Sequence, residues 1–274
     1  MGYDPPMRLV VVMAFGLALL CASLSEAAEP ASLAKARALY NAGLYDAAIE
    51  SATAARAERG YADAAALVIA RARLERFRTA PDQADLAAAR ETLAAISPVA
   101  LSVRDQVDLL IGLGQALYLS EEFGAAAELF ETALGRASLL GGRDRVRLLD
   151  WWATALEREA QTRPSDRRRE IFERIATRMM AELGIDPGSV AANYWLAVAA
   201  RGEGDLDRAW DAATAAWVRA SWSPDTSARL REDIDQFVAE ILIPERVRSR
   251  TAREQTEAAG ALEAQWQLIK QQWK

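Results

Sequence analysis

The chain of 274 residues contains no histidine and a single cysteine, Cys21. Without an imidazole there is no His-dependent triad, no His-bearing metal site and no use of the commonest general base. One thiol excludes an intrachain disulfide and a thiolate-held metal cluster. Basic residues are outnumbered: 33 Lys and Arg stand against 39 Asp and Glu, for a formal charge of −6. The basic footprint that a nucleic-acid binder needs is therefore missing. The short basic run Arg167-Arg168-Arg169 lies between Asp166 and Glu170 and reads as a solvated helix face. No Gly-rich phosphate loop, nucleophile elbow or metal-ligand spacing occurs. Acid pairs at Glu121-Glu122 and at Asp205 and Asp207 invite an acid/base reading. Both fall at expected turns between helices, where acids favour the start of the next helix. The expectation is a protein that is not an enzyme and uses no cofactor or metal.

What is present is alanine. Apolar residues make up 51% of the chain and charged residues 26%, which leaves ample material for a core. Alanine dominates the apolar set and β-branched residues are few after the N-terminus, a balance that favours helix over sheet.

The first residues carry a different signal. Met7-Arg8 precedes an apolar run from Leu9 to Leu20, then Cys21-Ala22-Ser23-Leu24-Ser25-Glu26-Ala27. A positive residue, a short apolar stretch and a small-x-small site match a secretory signal peptide. Residues 1–27 are assigned to it, with cleavage after Ala27. The run falls short of the roughly 20 residues that span a bilayer, so the membrane is met only through an uncleaved signal. Asp4-Pro5-Pro6 is an odd opening for such a signal, and Met7 is an alternative start. Leu20 stands where a bacterial lipobox wants a small residue, which disfavours a lipid on Cys21. The mature chain is expected in the periplasm, without cysteine.

In the middle of the chain Leu113, Gly114, Leu117, Phe123, Ala126, Phe130, Ala133 and Leu134 recur at helical spacing on both sides of a polar break. Small residues at Gly114 and Ala126 let two helices approach closely, and Ser120 is expected to cap the second. The same spacing returns in Ala36, Leu39, Gly43, Tyr45 and Ala48, and again in Leu196, Ala197, Ala200, Gly204, Leu206 and Ala209. This pattern resembles the tetratricopeptide repeat, a helix–turn–helix unit of about 34 residues. Leu110 and Ser138 stand where that family favours a tryptophan and a proline. Two degenerate pairs lie between, 61–77 with 83–96 and 143–162 with 165–183. The resemblance implies an all-α solenoid of about five hairpins over residues 28–222.

In that family the concave groove is lined by the first helix of each unit. Position by position, the resemblance implies Arg37, Tyr40 and Asn41 in the first unit, Ile111, Gln115 and Tyr118 in the third, and Tyr194, Val198 and Arg201 in the fifth. All eight tryptophans follow residue 150. Trp151 and Trp152 are adjacent and cannot both face inward, and Trp152 is assigned to the groove. Trp210 and Trp217 are seven apart, a core spacing. The resemblance implies a scaffold or adaptor that binds a protein or peptide in the cell envelope. The alternative is a receptor for a small ligand or glycan fragment in the Trp-rich C-terminal half.

Residues 223–274 are expected to cap the array. Ser223-Pro224-Asp225 starts a helix running to about Leu242, Pro244 interrupts it, and a final helix starts at Glu245. On that helix Val247, Thr251, Ala258, Leu262, Ile269 and Trp273 form a narrow apolar stripe with Trp266 beside it, which predicts that the segment from Asp225 onward folds back on the fifth unit with Trp266 or Trp273 against the array. A short coiled-coil dimer is the competing reading.

Overall fold

The structure, a computed structural model, describes residues 29–222, 227–248 and 251–273. The expected signal peptide, Cys21 and the helix start at Ser223-Pro224-Asp225 lie outside these residues. Five helical hairpins follow one another. Helix α1 (Ala31–Asn41) packs on α2 (Tyr45–Ala55), α3 (Ala62–Thr79) on α4 (Gln83–Ala95), and α5 (Val103–Leu119) on α6 (Phe123–Leu134). Helix α7 (Gly142–Gln161) packs on α8 (Ser165–Ile185), and α9 (Val190–Glu203) on α10 (Leu206–Ala220). No strand occurs among the described residues. The principal contacts join helices one or two places apart in the chain, with α1 on α3 and α3 on α5. Each hairpin covers its apolar face with its neighbours, which makes the fold an all-α solenoid.

Helix starts follow the expected chemistry. Ser102, Asp82, Ser189 and Asp205 each accept a hydrogen bond from a backbone N–H in the next helix, at 3.1, 2.9, 3.3 and 3.0 Å. Ser120 is a correction. Its hydroxyl donates back to the Ala116 carbonyl at 2.9 Å and closes α5, while α6 starts without a side-chain cap.

The three well-formed hairpins share one turn. Gly43, Glu121 and Gly204 have φ of +76°, +64° and +90°, and each precedes by five residues a fully buried alanine: Ala48, Ala126 and Ala209. The repeat is thus in phase in the backbone as well as in the side chains. Glu121 occupies a left-handed position that costs a β-carbon-bearing residue about 1–2 kcal/mol. Glu121→Gly is expected to raise stability by roughly 0.5–1 kcal/mol, since the relief exceeds the entropy that glycine loses on folding. Urea unfolding measures it, and a lower midpoint would place the third turn in another conformation.

Small residues set helix spacing. A β-carbon on Gly114 would lie 2.5 Å from the Phe130 ring, so the absence of a side chain there lets Phe130 of α6 seat against α5. Two apolar cores form, one over α1–α5 and one from α5 onward, and they meet in α5. Leu109 and Ala116 belong to the first, Val107 and Ile111 to the second.

The C-terminal helices cap the array as the narrow stripe predicts. Helix α11 (Ser227–Gln236) runs through a π-helical turn, Phe237–Leu242, into α12 (Ile243–Val247). Pro244 therefore does not break the helix. Proline lacks an N–H and its ring crowds the carbonyl four residues back, and the wider π turn just ahead removes that conflict. The last helix, α13 (Ala252–Gln272), starts later than expected, at a capping box of Thr251 and Glu254. It folds back so that Trp266 meets Trp210 and Trp217 edge-on, with centroids 6.1 and 5.5 Å apart.

Candidate partner groove

The sequence placed groove residues on α1, α5, α7 and α9, and the structure separates them. Arg37, Tyr40 and Asn41 stand together on α1 and line an open cavity of about 260 Å³. Its other walls come from the first helices of the next three hairpins. Helix α3 contributes Leu67, Val68 and Arg71, α5 contributes Arg104 and Asp108, and α7 contributes Asp144 and Arg147.

Ion pairs tie these helices side to side. Arg37 binds both oxygens of Asp105, at 2.8 and 3.1 Å, and reaches Glu29 at 2.7 Å. Arg71 pairs with Asp108 at 2.9 Å, and its guanidinium lies 4.9 Å from the centre of the Tyr40 ring. Arg104 joins Asp108 at 3.4 Å to Asp144 at 3.2 Å, and donates to the Leu139 carbonyl at 2.5 Å. Burial works against the Arg71 charge, but Tyr40, Asp108, Glu75 and Asp144 facing it raise its pKa further. Burial, opposed by Arg71, pushes the Tyr40 hydroxyl above its usual range, so it stays a neutral donor and acceptor.

Hydrogen-bonding capacity is left over here. The Arg71 Nε is buried without a partner. Among the described residues, Asn41 and Arg147 are exposed with no hydrogen bond or ion pair, and the Tyr40 hydroxyl bonds to nothing. Buried polar atoms are normally satisfied, so such a cluster calls for an explanation.

The remaining assignments are corrected by burial. Ile111 and Gln115 face inward, 8% and 3% exposed, and Gln115 donates to Glu75 at 3.3 Å. Neither lines the cavity, which α5 reaches through Arg104 and the buried Asp108, one to two turns before Ile111. Tyr118 packs edge-on against Trp151 at 5.0 Å and Phe123 at 5.3 Å. Trp152 is fully buried, and of the adjacent pair Trp151 is the more exposed. Val198 is buried as well. Tyr194 is engaged by Phe237 at 6.0 Å, and Arg201 by Glu245 through two bonds of 2.9 and 2.6 Å. Those Arg201 bonds hold the Glu245 carboxyl below the usual range, whereas burial raises Glu157 nearby. On α9, then, the chain's own C-terminal helices cover the positions that α1 leaves open.

The tryptophans follow the same logic. Trp152, Trp195, Trp210, Trp217 and Trp266 are buried, and Trp195 donates to Asp150 at 2.9 Å. The rings face one another and the core. A larger hollow of about 690 Å³ opens beside the turns of the first two hairpins. Arg76 stands in it, bridging Asp46 at 2.6 Å and Asp85 at 2.9 Å.

Sequence reasoning missed Arg71, Arg104, Asp108, Asp144 and Arg147. Arg71 and Arg147 sit in the second and fourth hairpins, whose repeat pattern is too degenerate to give a register. Comparison with protein-family models and with curated proteins finds no match in either.

Proposed function

We propose that the protein is an exported scaffold or adaptor of the tetratricopeptide type that holds a protein or peptide partner in the cell envelope. The cavity between α1, α3, α5 and α7 is its binding seat. One observation carries the reading: equivalent first-helix surfaces are closed by the chain itself on α9 and left open on α1, where Asn41 is exposed beside Arg147 of α7. Repeat arrays present concave surfaces of this kind to partners. The shared left-handed turn of three hairpins supports the repeat assignment, and the apolar run before Ala27 supports export. Mutual packing of Trp210, Trp217 and Trp266 argues against the receptor reading for those three rings.

Asn41 and Arg147 provide the test because neither holds the fold together. The double variant Asn41→Ala, Arg147→Ala is expected to keep the wild-type melting temperature and to recover at least tenfold less partner from envelope extract, quantified by mass spectrometry. Equal recovery by the folded variant would refute a partner seat at this cavity.

A further inference from the structure

Short connections make successive helices antiparallel, so the connections between hairpins lie along one edge of the array and the turns within hairpins along the other. Bonds join neighbouring connections along the first edge. The Ser97 N–H donates to Asp63 at 3.4 Å, Arg104 reaches the Leu139 carbonyl at 2.5 Å, and Arg145 pairs with Glu182. The two edges differ in what they expose. Val99, Val103, Leu139 and Ile185 stand out from the connections, and Trp222, just after α10, is 77% exposed. On the turn edge Leu44 is the one large apolar side chain so exposed among the described residues. Charge divides the same way. Counted with two helical residues on either side, the connections from α2 to α9 hold five arginines and three acids, whereas the five turns hold two arginines and eight acids. Arg56, Arg59, Arg136 and Arg143 are exposed, and among the described residues their guanidinium groups make no ion pair or hydrogen bond. A chain with a net charge of −6 thus keeps one edge basic. The 17 residues of α5 hold the edges about 25 Å apart, beyond the screening length of about 10 Å at 0.1 M salt. The acids of the turns therefore do not cancel these arginines.

We infer that the edge of hairpin connections rests on an anionic lipid surface, a membrane contact separate from the N-terminal apolar run and from the partner cavity. The arginines meet the lipid phosphates, the apolar tips enter the headgroup layer, and Trp222 takes the interfacial position that indoles favour. The acidic turn edge is repelled and faces away. A second copy fits the edge less well. Two like edges would set arginine against arginine, and the turn edge offers the apolar tips only Leu44. Vesicles of brominated lipid test the inference on the full chain with Trp222 as reporter, because bromine quenches indoles at the bilayer and residues 1–28 contain no tryptophan. Brominated phosphatidylglycerol is expected to quench at 50 mM salt and brominated phosphatidylcholine is not. At 300 mM salt half-quenching should need at least fivefold more lipid, because exposed charges are screened. Trp222→Phe should remove the quenching. Arg136→Gln with Arg143→Gln should raise the half-quenching concentration at least tenfold and leave the melting temperature unchanged. The matched pair Arg158→Gln with Arg169→Gln, near the turn edge, should change it less than twofold. No Trp222-dependent quenching, equal quenching by the two lipids, or equal effects of the two pairs would overturn the inference. Self-association without lipid that Arg136→Gln with Arg143→Gln abolishes would overturn it too, by giving the edge to a second copy.

Discussion

Trp266→Ala is expected to cost about 3–5 kcal/mol, the range for removing a large buried aromatic. Trp266 is 1% exposed and is the one fully buried side chain among the described residues of α13. Its ring closes a T-shaped pair with each of Trp210 and Trp217, and its Nε1 donates to Asp235 at 2.7 Å. Lys270 binds the same carboxylate at 2.8 Å, so α13 and α11 share one polar anchor beside the aromatic one. At the end of α13 the Trp273 carbonyl accepts from Trp217 Nε1 at 3.1 Å and Ser221 Oγ at 3.0 Å. Removing the indole leaves a cavity between α10 and α13 and strands Asp235 with lysine alone. The rest of α13 is too polar to hold the helix down. Denaturant unfolding should show the loss in full, and Trp266→Phe should recover much of it. A cost below about 1 kcal/mol would mean that α13 does not cap the array.

The second large effect is expected at Gly202. In an isolated helix, Gly→Ala gains about 1 kcal/mol from propensity alone. Here a β-carbon would stand 2.2 Å from Phe172 Cδ2 and 2.3 Å from its Cγ, close to the stem of a rigid ring. Phe172 is 5% exposed on α8 and belongs to the apolar core. Overpacking of that order costs about 1–3 kcal/mol, which outweighs the propensity gain. Gly202→Ala should therefore lower the unfolding midpoint, and Phe172→Leu added to it should recover part of the loss. A stabilised Gly202→Ala would show that α8 and α9 stand farther apart than the structure places them.

These two sites mark where the sequence was and was not legible. The helices were written plainly: alanine content, polar breaks and capping residues placed most boundaries of α3, α4, α7 and α8 within two residues. The cap was legible too, because a single apolar stripe on a polar helix has few ways to be covered. Gly202 was not, since its role depends on which ring of the neighbouring hairpin arrives opposite it. The Pro244 region failed for a related reason: a π turn six residues long is invisible in an apolar pattern that helix and π-helix share. The groove was legible only in its first unit. In later units the same register positions exist, but burial by the neighbouring hairpin takes Ile111, Gln115 and Val198 inward, and the C-terminal helices take Tyr194 and Arg201. Exposure in a stack is a property of the stack. The degenerate second and fourth hairpins hid Arg71, Asp144 and Arg147, which help to complete the cavity.

In the proposed function, binding belongs to the open N-terminal face, and the C-terminal face is closed by the chain itself. Hydrogen exchange of the full chain, alone and with its captured envelope partner, tests it most directly. Backbone protection gained on binding should fall within α1, α3, α5 and α7, around 37–41, 68–71, 104–108 and 144–147, with α9 and α13 unchanged. Protection gained on α9–α13 and absent from α1–α7 would contradict it.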